Sequence, residues 1–547
     1  MIDCEGLLPD FWITQKNKYP AGIPAEQYER DEDERFIIWH SGVMARYDRK
    51  KVNWQELAEL AVSENLVFSD YLGWYKIVIY DKKSVCWLFF GDSCGSQYLF
   101  MDCANARFSD RLLTLRDALG NTAEADMAAL TDLLCRGTLF GEETPVKGLA
   151  KTDCEFYYIF RDGVFERRSK RLQPLSKTKG VKDLTDVLLP ITEALGEKKA
   201  CAVCTGGTDS RTVLAALSAL GKTPELVLTA HRDNPDVVPA AAVARCLGRK
   251  LTVLDPEKRD DNWLETGFGM MDGLSDAVLG YRHYLKASWA SQNGYAFEYG
   301  GVAGEFYKNV FYRPLRWLLM GKKDQRFYRK VLLDADAEVW FGPALRDAIP
   351  LCERELDKIA AEAFKEKNGL ATANRVGYYL LSAASGTITS GYSSACCKID
   401  PLMDRALVAD ASREKPVSHT MHMWQRKQIA KYCPSLSDIP TDQGYSCTLK
   451  PLLLFCERCK KLLFIADRVF NRIRRSLGLG FKSKVQRYWD EDYIEARKSE
   501  LWQKALTYCR EKGIIQQDVD ETEIPLSDTG TLLLAGLLFA DSPAQER

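Results

Sequence analysis

The stretch CAVCTGGTDSRTVLAALSALG, residues 201–221, decides the fold of the central part of the chain. The apolar residues of KKACAVC, 198–204, predict a short buried strand. After TGGTDS at 205–210, apolar residues recur at helical spacing up to Gly221, which is typical of a helix C-cap. The two glycines therefore lie in a turn from a strand into a helix. Backbone N–H groups and the positive end of the helix dipole favour a bulky anion at such a turn.

The polar residues of the turn point to a shared anion and cation site. The hydroxyls of Thr205, Thr208 and Ser210 add hydrogen-bond donors. Asp209 is unusual beside an anion unless a divalent cation is also present, and a carboxylate beside phosphates is a common way to hold Mg²⁺. The turn matches neither GxGxxG nor GxxxxGK[ST]. Taken alone, it is also explained as a tight strand-to-helix turn with a capping Asp.

The segments that follow extend this pattern into a βαβαβ unit. PELVLTA at 224–230 and KLTVLD at 250–255 predict strands, and NPDVVPAAAVARCLG at 234–248 predicts the helix between them. Such a unit forms a parallel sheet with right-handed crossovers. Ligands of parallel sheets bind at the carboxyl ends of the strands, where the glycine turn and Thr229 are expected to lie.

The motif TGGTDSR resembles the Ser-Gly-Gly-x-Asp-Ser pyrophosphate loop of the ATP pyrophosphatases, in the asparagine-synthetase-like branch. That branch includes asparagine synthetases, β-lactam synthetases and lasso-peptide cyclases. Three later segments resemble further motifs in the family's order: AFEYGGVAGEFYKN at 296–309, ACCKIDPLMDRALVADAS at 395–412 and HMWQRKQIAKYCPSLSDIPTDQGYS at 422–446. The resemblance spans nearly the whole chain, and its first motif is the most specific.

The resemblance implies an α/β protein of two domains. Residues 1–168 are similar to the family's glutaminase domain, an N-terminal-nucleophile (Ntn) αββα sandwich, and 71–102 indeed reads as β-hairpins. Residues 175–547 are similar to the synthetase domain, an adenine-nucleotide α-hydrolase-like parallel sheet with a helical C-terminal part. A glutaminase needs Cys at mature position one. Here Cys4 follows the bulky Ile2, so we expect a degenerate domain that does not hydrolyse glutamine.

The implied activity is ATP-dependent formation of an amide bond in specialised biosynthesis, nearer to the β-lactam synthetase and lasso-cyclase types than to true asparagine synthetase. A carboxylate is activated as an acyl-adenylate and then attacked by an amine that does not come from the chain's own glutaminase. ATP and Mg²⁺ are the implied cofactors, with Asp209 and Glu305 as metal ligands. The residues implied to bind the nucleotide are Cys204, Thr205, Gly206, Gly207, Thr208, Asp209, Ser210, Thr229 and Gly300.

The sequence departs from the family pattern at three places. The Asp-Glu pair reads Gly304-Glu305, the position of a Glu or Tyr reads Gly301, and the closing Lys reads Asp442. The candidates to supply the missing chemistry are Glu305, Arg426 and Lys427 as catalytic residues, with Lys450 as a further cation. A solvated helix face explains the pair at 426–427 equally simply.

The segment LSDAVLGYRHYLKASWASQNG, 274–294, corresponds to the family's acceptor pocket. Tyr281, Arg282 and Tyr284 are predicted to bind substrate, because an Arg beside aromatic rings can hold a carboxylate through two hydrogen bonds. Packing at the start of a helix is the alternative. His283 is expected to be structural, and the spacing of His419 and His422 without nearby carboxylate or Cys ligands predicts no metal.

Composition adds few constraints on partners. The net charge of -1 gives no argument for nucleic acid, and no apolar run reaches the roughly 20 residues of a membrane span. No secretory signal is apparent, and 17 scattered cysteines suggest reduced thiols in the cytoplasm. The charged stretch 21–36 is expected to be a surface loop, and 456–489 a basic amphipathic helix. The substrates would be a small-molecule or peptide carboxylate and an amine.

Three alternatives to this function stay open. They are a lasso-peptide-type macrolactam cyclase, a glutamine-hydrolysing asparagine synthase, and a non-catalytic scaffold that binds a nucleotide or peptide. The departures at Gly304 and Asp442 favour either rearranged ligands or lost catalysis. The sequence identifies neither the carboxylate, nor the amine, nor the oligomeric state.

Overall fold

The computed structural model describes residues 28–308, 310, 339–366, 369–415, 419, 421–457, 459 and 490–540. These residues form a mixed α/β fold. It contains a six-stranded antiparallel sheet, a three-stranded antiparallel sheet, a five-stranded parallel sheet and helices packed around them. The α/β class predicted from the sequence is therefore confirmed.

The described strands are β1 (Glu29–Glu32), β2 (Phe36–Arg46), β3 (Tyr71–Asp81), β4 (Cys86–Gly91), β5 (Phe100–Asp102), β6 (Arg107–Ser109), β7 (Leu149–Lys151), β8 (Phe156–Arg161), β9 (Val164–Ser169), β10 (Ala200–Val203), β11 (Glu225–Thr229), β12 (Leu251–Leu254), β13 (Phe297–Tyr299) and β14 (Cys397–Ile399). The main helices of the same residues are α1 (Trp54–Val62), α2 (Leu112–Leu119), α3 (Met127–Arg136), α4 (Leu184–Leu195), α5 (Thr208–Ala219), α6 (Val237–Cys246), α7 (Trp263–Met270), α8 (Ala277–Gln292), α9 (Pro343–Ala363), α10 (Gly369–Tyr392), α11 (Arg405–Ala411), α12 (Met423–Tyr432), α13 (Asp490–Ala496), α14 (Glu500–Glu511) and α15 (Thr529–Phe539).

The six-stranded sheet, in the order β1-β2-β3-β4-β8-β9, is apolar on both faces. Alternation along β2 explains why, because Phe36 and Ile38 pack with Leu57 of α1, whereas Ile37 and Trp39 belong to a second cluster. That second cluster includes residues of the three-stranded sheet, whose order is β6-β5-β7. The predicted hairpin of β3 and β4 is confirmed by their antiparallel pairing.

The parallel sheet has the order β12-β11-β10-β13-β14. The predicted βαβαβ unit is confirmed as β10-α5-β11-α6-β12, with every neighbouring pair parallel. Strand β13 pairs with the other side of β10, so β10 is central. The turn at 205–210 therefore leaves the middle of the sheet at its carboxyl edge, which is where parallel sheets bind ligands.

Side-chain caps fix the helices that surround this edge. Asp276 accepts hydrogen bonds from the N–H groups of Val278 and Leu279 at the start of α8. Asp404 caps α11 in the same way, accepting from the N–H groups of Ala406 and Leu407. The largest buried cluster contains Val43 and Trp74 together with residues of the parallel sheet, so the two parts of the chain share a core. The domain limits 1–168 and 175–547 stay a prediction.

The structure corrects one local expectation. Part of the stretch 21–36, expected to be a loop, forms β1, which pairs with β2 as an edge strand. Its four residues are charged, which hinders pairing with another chain at that edge. The predictions for residues 1–4 and for most of the basic helix at 456–489 lie outside the described residues.

Two further observations concern composition. No helix among the described residues combines the length and apolar character needed to cross a bilayer. The cysteines within the described ranges are all free thiols. Cys201 lies buried in β10, and its thiol donates to the carbonyl oxygen of Phe297, as a structural cysteine does.

Candidate functional site

The turn at 205–210 is held by its own hydroxyls, which also accept hydrogen bonds from the backbone N–H groups of Thr205 and Gly207. Thr205 Oγ1 lies 2.9 Å from Ser210 Oγ, and the N–H of Gly207 donates to Thr205 Oγ1 at 3.3 Å. Gly207 is the N-cap of α5 and has no side-chain capping bond. A Cβ on Gly207 would meet only Thr205 Oγ1, at 3.5 Å. The start of α5 therefore has no side-chain cap and has open space beside Gly207, as an anion site requires.

A segment near residue 440 lies against the turn. The fully buried Arg211 donates to the carbonyl oxygens of Ile439 at 2.5 Å and Pro440 at 3.1 Å. The N–H of Asp442 donates to the carbonyl oxygen of Gly206 at 3.2 Å. A Cβ on Gly206 would lie 3.1 Å from that of Asp442. The segment predicted to close the site thus contacts the turn, and it brings a carboxylate where the family has an ammonium.

Asp209 has partners that the sequence did not indicate. Its Oδ2 accepts a hydrogen bond from Lys308 Nζ at 2.6 Å, and its Oδ1 accepts one from Gln425 Nε2. Burial raises the pKa of the Asp209 carboxyl, and the Lys308 ammonium opposes that rise. A Cβ on Gly304 would lie 2.1 Å from Asp209 Oδ1. Gly304, which stands where the resembled family has an Asp, therefore leaves the space that the Asp209 carboxylate occupies.

Further carboxylates lie close to the turn. Asp236 Oδ1 accepts a hydrogen bond from the N–H of Gly206 at 2.8 Å, while burial raises the pKa of its carboxyl. Glu305 and Asp442 also act electrostatically on Asp209 and raise its pKa. A polyphosphate would meet this negative charge, so it must arrive with cations. Carboxylate oxygens are the ligands that Mg²⁺ prefers, so Asp209 and Glu305 fit the predicted metal chemically.

A cavity of about 500 Å³ opens beside the turn at the carboxyl ends of β10 and β11. Its volume is within the range of small-molecule sites. Its walls combine four aliphatic side chains, four hydroxyl-bearing side chains and five acidic, basic or imidazole side chains, with Thr205 joining it to the turn. Its lining residues are Val203, Thr205, Leu228, Thr229, Asp236, Val278, Leu279, Arg282, His283, Lys286, Asp490, Tyr493 and Ser527.

Of the three residues predicted to bind substrate, one lines this cavity. Arg282 lines the cavity, but its Nε and Nη2 both donate to Asp492 Oδ2, so its carboxylate partner is on α13. The hydroxyl of Tyr281 donates to the carbonyl oxygen of Lys258 at 2.9 Å. Tyr284 stacks on Tyr281 with ring centroids 6.0 Å apart. These contacts are those of packing at the start of a helix, and substrate binding by the three residues stays a prediction.

His283 is the next residue of α8 and also lines the cavity. Its Nδ1 is buried and has no hydrogen-bond partner. Burial and the nearby cations, Lys286 first among them, hold the pKa of His283 well below its ordinary value. The ring is therefore neutral at physiological pH, which fits the structural role expected for it rather than that of a general base.

The structure separates the three predicted catalytic residues. Arg426 is 1% exposed and donates to the carbonyl oxygens of Met421 and Thr448 and to Glu457 Oε2 at 2.5 Å. These bonds hold neighbouring segments of the chain together. Lys427 is exposed on α12, as a solvated helix face requires. Catalytic roles for these two residues stay predictions.

The third residue, Glu305, lies near the turn in the short 3-10 helix Gly304–Tyr307. Gly300 precedes that helix and is closely packed, because a Cβ there would lie 2.0 Å from Asp400 Oδ1. Lys450, the further cation considered, pairs with Asp438 at 3.1 Å. Cys204 is buried, and its N–H donates to the carbonyl oxygen of Val227 within the sheet.

His422 is a site residue that sequence reasoning missed. Its Nδ1 lies 3.2 Å from Thr208 Oγ1 in the turn, and its Nε2 lies 3.4 Å from the hydroxyl of Tyr445. Both Met421 and His422 have left-handed backbone, with φ of 59° and 60°. This conformation costs roughly 1–3 kcal/mol per residue outside glycine and tends to persist at functional sites. Two adjacent strained residues thus hold the imidazole against the turn.

A second group of potential metal ligands lies farther along the same sheet edge. His231 follows β11, and Asp255 and Glu257 follow β12; one ligand atom of each lies within 4.8 Å of the others. His231 Nδ1 and Glu257 Oε1 are 3.1 Å apart. An ion pair between His231 and Glu257 is enough to explain this contact.

No protein-family model matches the chain, and no curated protein matches it. The resemblance to the asparagine-synthetase-like branch therefore stays a prediction from the motifs of the sequence.

Proposed function

We propose that the chain is an ATP-dependent ligase that forms an amide bond through an acyl-adenylate. One observation carries the proposal: the turn at 205–210, which leads into a helix without a side-chain cap, leaves the central strand of a parallel sheet beside a cavity of about 500 Å³. The turn suits the phosphates of a nucleotide and the cavity suits its nucleoside. The order β12-β11-β10-β13-β14 supports an adenine-nucleotide α-hydrolase-like sheet, and the two antiparallel sheets with flanking helices support an Ntn-like sandwich.

ATP is the activating substrate in this proposal. An oxygen of the substrate carboxylate attacks the α-phosphorus, and the bond from that phosphorus to the bridging oxygen breaks, releasing pyrophosphate. The amine nitrogen then attacks the acyl carbon, loses a proton and displaces AMP. These steps need positioning and electrostatic stabilisation more than a covalent catalyst.

The residues around the turn would divide this work. The N–H groups at the start of α5 and the hydroxyls of Thr205 and Ser210 would hold the phosphates. Mg²⁺ would neutralise phosphate charge, held by Asp209 and Glu305. His422, fixed by its contact with Thr208, would orient that hydroxyl.

The source of the amine separates the versions of this proposal. An amine on the substrate itself would make the chain a macrolactam cyclase, and a separate amine would make it an intermolecular ligase. Glutamine-dependent asparagine synthesis would instead take its nitrogen from ammonia that a glutaminase domain releases. A non-catalytic scaffold is favoured by one feature, the bond of Asp236 to the N–H of Gly206, because a carboxylate already occupies that donor.

Calorimetric titration with Mg-ATP tests the proposal without knowledge of the substrate. The wild type should bind, and Asp209→Asn should bind about tenfold more weakly or not at all, because a neutral amide holds Mg²⁺ poorly. Asp183→Asn is the matched control, since Asp183 forms a partly exposed ion pair with Lys431 away from the turn. Thermal melts would show that all three proteins are folded.

Failure of the wild type to bind at millimolar Mg-ATP would contradict the ligase and favour the scaffold. If it binds, ATP–pyrophosphate exchange should be screened with small carboxylic acids and with peptides. Exchange that depends on one acid would identify the carboxylate and establish adenylation.

A further inference from the structure

Both oxygens of the Asp209 carboxylate have protein donors. Lys308 Nζ lies 2.6 Å from Oδ2, and Gln425 Nε2 donates to Oδ1. Both side chains of the ion pair are shielded, with 18% of Lys308 and 23% of Asp209 exposed. A divalent cation would bind through the same oxygens. The lysine ammonium thus occupies the place that a metal ion would take.

Gly304 belongs to the same arrangement. Any Cβ at this position would overlap the Asp209 carboxylate, since it would lie 2.1 Å from Oδ1 and 2.6 Å from Oδ2. The same short segment that lacks a carboxylate at 304 provides the ammonium at 308.

The other cations considered for the site have partners elsewhere. Arg426 donates to Glu457, and Lys450 donates to Asp438. Arg211 does contact the turn, but it donates there to the carbonyl oxygen of Gly206 at 3.4 Å, and its other backbone bonds go to the carbonyl oxygens of 436, 439 and 440. Lys308, by contrast, pairs with a carboxylate of the turn, and lysine carries a compact charge on a flexible stem that can move to a new partner.

We propose that Lys308 holds the Asp209 carboxylate closed to divalent cations until a phosphate-bearing ligand draws the ammonium away. Free Mg²⁺ is then excluded, and the metal enters only together with the phosphate. Binding of the metal and binding of the phosphate become coupled, because each favours the state in which the ion pair is open. The proposal rests on the polyphosphate site described under the proposed function.

Binding of Mn²⁺ alone to the full chain, followed by the electron paramagnetic resonance signal of the free ion, tests this lock without any nucleotide. Lys308→Met should bind Mn²⁺ about tenfold more tightly than the wild type, a coupling of ordinary size. The double variant Lys308→Met with Asp209→Asn should lose the gain. Lys431→Met, which breaks an ion pair with Asp183 away from the turn, should bind like the wild type.

The lock is overturned if Lys308→Met binds Mn²⁺ no more tightly than the wild type, or if the gain survives in the double variant. If Lys308→Met does not fold, Lys308→Gln keeps a donor without charge and should show the same gain; equal affinity with the wild type would again overturn the lock. Failure of the nucleotide site would appear separately, as a wild type that ignores Mg-ATP while Lys308→Met still gains Mn²⁺ through Asp209.

Discussion

The substitution Gly304→Asp introduces the carboxylate that the resembled family has at this position. It tests whether the Asp209 carboxylate lies beside residue 304, as the structure places it. The new Cβ would lie 2.1 Å from Asp209 Oδ1, so one of the two side chains must move. Overpacking of this kind usually costs about 1–3 kcal/mol. The second carboxylate would also disturb the hydrogen bonds of Asp209 with Lys308 and Gln425.

The charge adds a cost that can be separated from the steric one. Two carboxylates about 4 Å apart repel by roughly 4 kcal/mol at an effective dielectric constant near 20. The Lys308 ammonium offsets part of this, so we expect a net electrostatic cost of about 2 kcal/mol. Gly304→Asn is the matched control, since its amide has nearly the same shape and no charge. Gly304→Asp should therefore be about 2 kcal/mol less stable than Gly304→Asn without divalent cations.

Urea unfolding of both variants, with EDTA and with excess Mg²⁺, measures these terms. A carboxylate pair binds Mg²⁺ and an Asp-Asn pair does so poorly, so Mg²⁺ at about 100 times its dissociation constant should stabilise Gly304→Asp by roughly 2.7 kcal/mol. Gly304→Asn should respond little. Equal stability of the two variants in EDTA, together with no response to Mg²⁺, would refute the placement of Asp209 beside residue 304.

Three further predictions concern the surroundings of the site. His422→Ala should weaken Mg-ATP binding by about 1 kcal/mol in calorimetry, because Thr208 loses its partner. Asp492→Asn should lower the free energy of unfolding by about 3–5 kcal/mol, because it leaves the buried Arg282 without its counter-charge. Burial raises the pKa of Asp404 above its ordinary 3.8, so wild type should lose stability relative to Asp404→Asn as the pH rises above about 4 in urea unfolding. An advantage of the wild type over Asp404→Asn that grows as the pH rises would contradict that sign.

The central fold was predictable because its local signals agree with its tertiary structure. Strand β10, helix α5 and strands β11 and β12 each have apolar runs of the right length, and Gly221 follows α5 with a φ of 69°. Strand β1 was not predictable, because its charged residues carry no β signal. It exists through its pairing with β2, which is a tertiary effect.

The candidate site was predictable only where it is local in sequence. The turn at 205–210 provides its own hydroxyl contacts, so its motif contains most of the information about its shape. Lys308 and Gln425 lie 99 and 216 positions from Asp209 in the hydrogen bonds they form with it. A sequence motif alone does not indicate which distant residues form hydrogen bonds with one another. For the same reason, the sequence predicted a substrate carboxylate as the partner of Arg282, whereas the structure shows Asp492 on α13 as its partner.

The residues around Asp209 form one arrangement rather than a set of unrelated features. An Asp at 304 would exclude the Asp209 conformation seen here, and a glycine permits it. That conformation in turn leaves a buried carboxylate that needs positive charge, and Lys308 and Gln425 supply charge and hydrogen bonds. A buried Asp209 carboxylate without partners would cost several kcal/mol. Gly304 and Lys308 therefore act together, because one residue gives Asp209 its space and the other gives it a counter-charge.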